Sequence, residues 1–161
     1  MRSLIPTNKT ILIDADSVLL RWRHGFRSYM KHKGHEWLNI ETNYDMTQHF
    51  NASSEEVYEH LNLFNNGHWR IGTLSPVAGA VEGMARLANM GYRFVVISSF
   101  STNAQAIALR QANLYNVFGD VFDNVYCIGV GKHKRDHLSK YESAFWIEDN
   151  YDNCVDGLKY G

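Results

Sequence analysis

The chain has 161 residues, a formal net charge of −1 and 45% hydrophobic residues. This length suits one domain that is large enough to bury a core of its own. The average composition excludes the collagen-like, low-complexity and disordered classes of protein. The balance of 16 basic against 17 acidic residues makes nucleic acid an unexpected partner, because nucleic-acid-binding domains normally carry a basic excess.

Four short apolar runs predict the strands of a parallel sheet. They span 11–13, 94–97, 125–128 and 144–147. Strands that are buried on both faces have this uniformly apolar form. Helical patterns separate the runs at 77–90, 102–112 and 134–141. The alternation of strands and helices predicts a Rossmann-like, three-layer α/β/α sandwich.

The segment 21–73 interrupts this alternation after the first strand. Ser53, followed three residues later by Glu56, predicts the start of a helix that runs through Phe64. We therefore predict a small, mostly helical cap at 21–73, inserted into an α/β core formed by 1–20 and 74–161. Six of the eight histidines lie in the cap, but none has an H-x-x-x-H or H-E-x-x-H spacing. Surface histidines are the preferred interpretation over a zinc site.

Basic residues concentrate at the start of the cap. Arg23, Arg27 and Lys31 are spaced four residues apart, so they would lie on one side of a helix. Two interpretations are open. This side of the helix is either a face exposed to solvent or a positively charged rim of the site that attracts a phosphorylated substrate.

The chain carries no pattern typical of membrane insertion or export. Its apolar runs have the length of strands and not the ~20 residues of a membrane span, and its start lacks the apolar segment of a signal peptide. Cys127 and Cys154 are too few for a disulfide framework. We expect a cytoplasmic protein with no membrane partner.

Polar residues follow each of the four predicted strands. They are Asp14 and Asp16, Ser98 and Ser99, Lys132 and Lys134, and Glu148 and Asp149. Ligands of parallel sheets bind outside the carboxyl ends of the strands. Carboxylates can hold a hard cation or attack phosphorus, and hydroxyl and ammonium groups can bind an anion. This combination is typical of phosphoryl transfer.

In order and spacing, these residues resemble the four motifs of the haloacid dehalogenase (HAD) superfamily. The cap resembles a C1-type cap, and the stretches 14–22 and 74–82 resemble the 5′(3′)-deoxyribonucleotidases and their phage and bacterial relatives. The resemblance implies Mg²⁺-dependent hydrolysis of a phosphomonoester through an aspartyl-phosphate. The family fold usually continues beyond the fourth motif, so either the sheet is shorter here or the sequence is truncated after Gly161.

The resemblance also implies catalytic roles for individual residues. Asp14 would be the nucleophile, and Asp16 would protonate the leaving oxygen and then deprotonate water. Ser98 would hydrogen-bond a phosphoryl oxygen. A lysine would neutralise the developing charge, and we favour Lys134 over Lys132 because Lys134 begins the predicted helix.

Binding roles follow from the same resemblance. Mg²⁺ would be held by Asp14, the backbone carbonyl of Asp16, and Asp149. The candidates for substrate binding are Trp22, Arg23, Ser99 and Lys132. Trp22 would pack on a nucleobase, although packing between cap and core is an equally open interpretation.

The expected partner is a small phosphorylated substrate, a nucleoside monophosphate or deoxynucleotide. The same chemistry on a polynucleotide end or a phosphosugar is an alternative. A second alternative, of another class, is a catalytically silent HAD-like interaction module. In that case the strand at 144–147 could be an open edge that pairs with another chain, and a homodimer is possible.

Overall fold

The four predicted strands form one fully parallel sheet in the computed structural model, which describes residues 9–38, 45–141 and 144–159. The strands are β1 (Thr10–Ile13), β2 (Arg93–Ser99), β3 (Phe122–Ile128) and β4 (Phe145–Ile147), in the order β3-β2-β1-β4. Ile13 pairs with Val96 on one side and with Ile147 on the other. The carboxyl ends of β1, β2 and β4 therefore meet at one edge.

Six helices accompany the sheet in the described residues. They are α1 (Trp22–His32), α2 (Ser54–Asn65), α3 (Ala80–Asn89), α4 (Ala104–Phe118), α5 (Arg135–Leu138) and α6 (Tyr151–Gly157). Two 3₁₀ segments, Met46–Gln48 and Trp69–Thr73, complete the stretch between β1 and β2. None of the described helices is both long and apolar enough to cross a membrane.

Several predicted helix boundaries differ from the structure. The helix predicted at 77–90 begins only at Ala80, because Gly79 adopts a left-handed conformation with φ 79° and serves as its N-cap. The helix predicted at 102–112 extends to Phe118, where Gly119 (φ 76°) ends it. The segment 134–141 contains only the single turn of α5. The predicted helix start at Ser53 is confirmed, since the Ser53 side chain accepts a hydrogen bond from the Glu56 amide.

Apolar side chains pack on both faces of the sheet, which confirms the predicted Rossmann-like α/β class, although two of the three residues of the edge strand β4 are exposed. Ile13 and Val96 belong to the larger hydrophobic cluster, which includes residues of α1, α2, α3 and α4. Leu12 and Val95 face the other side, where they pack with Leu138 of α5. Alternation along the strands produces this division, because successive side chains point to opposite faces of a sheet.

The segment 21–73 is mostly helical, as predicted, but it shares its interior with the sheet. Phe26 and Phe64 lie in the same hydrophobic cluster as Ile13. Asn113 of α4 exchanges two hydrogen bonds of 3.1 Å with the backbone of Leu74 and so fixes the point where this segment ends. The division into cap and core stays a prediction, and its segments 1–20 and 74–161 extend beyond the described residues at both ends.

Candidate active site

The loop that follows β1 brings two carboxylates to one pocket. The Asp14 amide continues the strand by donating to Ile147 O at 2.9 Å. Three residues later the backbone turns sharply at Ser17, which has a positive φ of 64°, uncommon for a residue with a side chain. Asp14 and Asp16 consequently both line a pocket of about 390 Å³ between the strand ends and the helical segment.

The walls of this pocket have two different characters. The wall formed by the strand ends and the segments that follow them is mainly polar and contains Asp14, Asp16, Ser17, Ser99, Lys134, Glu148 and Asn153, together with the apolar Phe100 and Val130. The opposite wall, contributed by the helical segment, mixes aromatic, aliphatic, amide and charged side chains and contains Trp22, Arg23, Asp45, Met46, Tyr58, Leu61, Asn62 and Asn65. A charged group and a larger, partly apolar group could therefore bind side by side.

Lys134 is the lysine that reaches the carboxylates. Its Nζ lies 2.7 Å from Asp14 Oδ1 and 2.6 Å from Glu148 Oε2, and its side chain is only 4% exposed. Although burial alone would lower the pKa of Lys134, the charges of Asp14 and Glu148 raise it above its ordinary value. Lys132, by contrast, is exposed and does not line the pocket. The ammonium of Lys134 is thus a fixed positive charge beside Asp14.

Burial changes the proton affinity of Asp14. The pKa of this carboxyl is raised to about 7, chiefly because the group is removed from water, while Lys134 opposes the shift and Glu148 and Asp16 add to it. Near neutral pH the metal-free site therefore holds Asp14 close to its titration point. A divalent cation at this position would favour the charged form.

Three carboxylates are close enough to hold a cation. The ligand oxygens of Asp14, Glu148 and Asp149 all lie within 4.8 Å of one another. Burial, followed by the neighbouring Glu148, raises the pKa of Asp149 to about 6. An all-oxygen set of this kind suits Mg²⁺. The side chain of Asp16 does not belong to this group, and the predicted metal role of Asp16 concerned only its backbone carbonyl.

Glu148 is engaged mainly in holding its own loop. Its Oε1 accepts from the backbone amides of Asp149 (3.1 Å) and Asn150 (3.2 Å). Its Oε2 accepts from Lys134 and from the side chain of Asn153. These bonds fix the turn after β4, so Asp149 is the more available carboxylate for a metal ion.

Arg110 is a buried charged residue beside this site that sequence reasoning missed. It lies in the middle of α4 and is completely buried, and its Nη1 and Nη2 donate to Asp16 at 2.5 Å and 3.1 Å. The guanidinium also lies 4.4 Å from the centre of the Phe100 ring. One signal was present in the sequence, because Arg110 is the single charged residue of α4.

The two serines at the end of β2 have different surroundings. Ser98 is completely buried, and no described residue hydrogen-bonds to its hydroxyl. Ser99, the next residue, lines the pocket. Alternation along β2 explains the difference, since Ser99 shares the face of Ile97 and Val95 whereas Ser98 points to the opposite face. The pocket geometry therefore favours Ser99 over the predicted Ser98 as the serine that meets a ligand.

Trp22 lines the pocket and also packs against its neighbours. Its ring stacks on Phe26 at 5.4 Å and 11°, and its Nε1 donates to Asn65 Oδ1 at 2.9 Å. Arg23 lines the same pocket and a second cavity of about 620 Å³, where Arg27 joins it. The packing contacts of Trp22 are thus observed, and a stacking role on a ligand stays a prediction.

Comparison with known proteins supports the fold assignment. No protein-family model and no curated protein matches the sequence. Among solved structures, the chain is similar to CbbY from Rhodobacter sphaeroides in complex with phosphate, with TM-score 0.55 and 14% identity over 94% of this chain and 81% of that one. A mutant of CbbY in complex with xylulose-(1,5)-bisphosphate gives TM-score 0.51 and 16% identity, with the same coverage.

A HAD-superfamily hydrolase from Ehrlichia chaffeensis is similar as well. It gives TM-score 0.52 and 12% identity over 98% of this chain and 85% of that one. At these identities the likeness concerns the fold. The chain therefore has the fold found in HAD-superfamily hydrolases.

Proposed function

We propose that the protein is a HAD-type phosphomonoester hydrolase that works through a phosphorylated Asp14. The observation that carries the proposal is the position of the Asp14 carboxylate, buried in the pocket and 2.7 Å from the Lys134 ammonium. Asp16 lines the same pocket two residues later. A positioned nucleophile, a cation for developing charge and a second carboxyl for proton transfer are the groups that such a reaction requires.

The proposed reaction has two displacement steps. In the first, a carboxylate oxygen of Asp14 bonds to phosphorus, the ester P–O bond breaks, and protonated Asp16 gives its proton to the leaving oxygen. In the second, Asp16 takes a proton from water as the water oxygen bonds to phosphorus. The bond between phosphorus and Asp14 then breaks, which releases inorganic phosphate and regenerates both carboxyl groups.

Other residues of the pocket support these steps. Lys134 lies where it can neutralise charge on Asp14 and on the phosphoryl oxygens, and Ser99 offers a hydroxyl to one of those oxygens. Asp14 and Asp149 would hold Mg²⁺ together with the Asp16 carbonyl. When bound, the ion would supply further positive charge to the phosphoryl group.

A nucleoside monophosphate is the substrate class that we propose, with deoxynucleotides included. The wall formed by the helical segment supports this choice, because Trp22 and Tyr58 provide aromatic surface and Asn62 and Asn65 provide amides. A planar base needs an aromatic surface to stack on and polar groups to hydrogen-bond with its edges. The arrangement of this segment as a C1-type cap is part of the same proposal.

Two alternatives keep the chemistry and change the substrate. A phosphosugar is favoured by the structural similarity to CbbY, whose mutant was solved with xylulose-(1,5)-bisphosphate. A polynucleotide end is favoured by the second cavity, which Arg21, Arg23 and Arg27 line. A catalytically silent module is disfavoured by the convergence of Asp14, Asp16, Lys134 and Glu148 on one pocket.

An activity panel tests the proposal. Nucleoside monophosphates, phosphosugars and a short 5′-phosphorylated oligonucleotide would be assayed for phosphate release with Mg²⁺. We expect the nucleotides to react fastest, Asp14→Asn to lose turnover, and Asp136→Asn, which changes an exposed aspartate outside the pocket, to keep it. Faster turnover of phosphosugars would contradict the substrate class. Turnover by Asp14→Asn equal to wild type would contradict the covalent mechanism.

A further inference from the structure

Three metal-ligating side chains meet in the helical segment, outside the candidate active site. They are His35, Glu56 and His60, and one ligand atom from each lies within 4.8 Å of the other two. His35 Nε2 is 3.6 Å from Glu56 Oε1, and the His35 and His60 rings are 5.3 Å apart. None of the three lines the pocket that contains Asp14. They form a separate cluster with its own chemistry, called the His–Glu–His cluster below.

Local structure explains how the cluster forms. Glu56 and His60 are four residues apart on α2, so they occupy the same face on successive turns. His35 arrives from the other side, after α1 has ended. Gly34 has φ 92°, and the His35 amide donates to Met30 O at 3.1 Å, which turns the chain back toward α2. The cluster therefore bridges two helices that the sequence connects only through a long intervening segment.

Tyr29 fixes one nitrogen of His60. Its side chain is buried, and its hydroxyl lies 3.1 Å from His60 Nδ1. With the proton on Nδ1, the Tyr29 oxygen accepts this hydrogen bond and the lone pair of Nε2 is available to a cation. Hydrogen bonding at one ring nitrogen is the usual way in which proteins orient a metal-ligating histidine.

The charges around the cluster are compatible with a bound cation. Burial, and then the neighbouring His35, lower the pKa of His60 below its ordinary value, which favours the neutral imidazole that a metal ion binds. Glu56 and Glu59 contribute negative charge nearby. Lys33 is the opposing group, and its Nζ lies over the Tyr29 ring at 5.6 Å from the ring centre.

We propose that His35, Glu56 and His60 bind a late first-row divalent metal ion such as Zn²⁺, with water at the fourth position. Two imidazoles and one carboxylate match the ligand preference of Zn²⁺, whereas Mg²⁺ prefers oxygen. The ion would connect the end of α1 to α2 and thereby stabilise the wall that carries Tyr58 and Asn62. This site is independent of the proposed phosphatase chemistry.

Metal binding to the full chain tests the proposal. The protein would be stripped with chelator, saturated with Mg²⁺ to fill the oxygen site, and titrated with Co²⁺ and then Zn²⁺. We expect one Co²⁺ per chain, with the intense visible absorption of a four-coordinate ion, displaced by Zn²⁺. Thermal unfolding in Zn²⁺ is expected at higher temperature, because a ligand that binds only the folded state stabilises it.

Single-residue variants identify which side chains bind the metal ion. His60→Gln and Glu56→Gln should each abolish the visible absorption, and Glu56→Gln changes an exposed side chain, so the fold is retained. Tyr29→Phe should weaken Zn²⁺ binding by about 10-fold, since groups that orient a ligand typically contribute 10- to 100-fold. His24→Gln, which changes an exposed histidine of α1 outside the cluster, is the matched control.

Two results would overturn the proposal. One is Co²⁺ absorption unchanged in both Glu56→Gln and His60→Gln. The other is absorption lost in Asp149→Asn but retained in Glu56→Gln, which would assign the ion to the active-site carboxylates. Neither readout uses turnover, so a failure of the phosphatase assay and a failure of this metal site can be told apart.

Discussion

The Arg110 guanidinium and the Asp16 carboxylate form a two-point ion pair behind the candidate active site, at 2.5 Å and 3.1 Å. Ninety-four positions separate the two residues in the chain. Arg110 is fully buried, whereas Asp16 still reaches the pocket. The pair therefore orients the Asp16 carboxylate, the form that takes a proton from water in the second proposed step. The first proposed step, in which Asp16 gives a proton, requires this pair to open. We expect Arg110 to be a positioning residue.

Replacing Arg110 should affect both stability and turnover. Arg110→Met is expected to lower the free energy of unfolding by about 1–3 kcal/mol, because it removes two hydrogen bonds between charged groups while Asp16 keeps its access to the pocket. Turnover should fall by about 100-fold if Asp16 loses its orientation. Urea unfolding and kcat would be measured together, at a temperature where the variant is folded.

The exposed pair of Arg93 and Asp123 provides the control for this experiment. Arg93 Nε and Asp123 Oδ1 are 2.8 Å apart, but both side chains are nearly half exposed to solvent. Arg93→Gln should cost about 0–1 kcal/mol and leave kcat unchanged. An Arg110→Met variant that behaved like Arg93→Gln would contradict the positioning role.

The two serines of β2 form a matched pair for testing which hydroxyl meets the phosphoryl group. Ser99→Ala should lower kcat/KM by about 10- to 100-fold, since it removes a hydrogen bond to a charged group worth about 1.5–3 kcal/mol. Ser98→Ala should keep activity near wild type, because Ser98 is buried away from the pocket lining. A large loss of activity in Ser98→Ala, with near wild-type activity in Ser99→Ala, would support the role that the sequence predicted for Ser98.

Trp22 can be tested with two substrates of different size. If its ring stacks on a base, Trp22→Ala should raise KM for a nucleotide by roughly 5- to 150-fold, the equivalent of about 1–3 kcal/mol. A small aryl phosphate should be hydrolysed almost as before, because Asp14 and Lys134 still hold its phosphate. Equal losses on both substrates, with a lowered Tm, would instead assign Trp22 to packing against Phe26.

The stability of the metal-free protein should depend on pH through Asp14. Its pKa rises from the ordinary 3.8 to about 7 on folding, so the folded state binds a proton more tightly than the unfolded chain. The free energy of unfolding should therefore fall as pH increases between these values, once Asp14 must ionise in its buried position.

Comparison of wild type with Asp14→Asn isolates this contribution. In chelator, the variant should become progressively more stable than wild type as pH rises from 3.8 to about 7. Added Mg²⁺ should restore the stability of the wild type at the upper end of this pH range, because the cation favours the ionised form of Asp14. A stability difference that stayed constant with pH would contradict the assignment.

The amino-acid sequence by itself determined the strands of the core and the edge of the sheet at which the candidate active site lies. The apolar runs that end at Asp14 and Ser98 encode buried strands, and the run that ends at Glu148 encodes the more exposed edge strand β4. Side-chain periodicity is a local property that neighbouring residues decide. Parallel strands place their carboxyl ends together, so the position of the candidate site followed from the strand pattern alone. The start of α2 at Ser53 is likewise decided by neighbouring residues, since Ser53 accepts from the amide of Glu56.

Only the tertiary structure decided which side chains touch. The pairing of Arg110 with Asp16 and the meeting of His35 with Glu56 and His60 join elements that are distant along the chain. No local pattern records such contacts, because they depend on how whole helices pack. The choice between Ser98 and Ser99 needed the register of β2 within the sheet, since a shift of one residue exchanges the two faces of a strand.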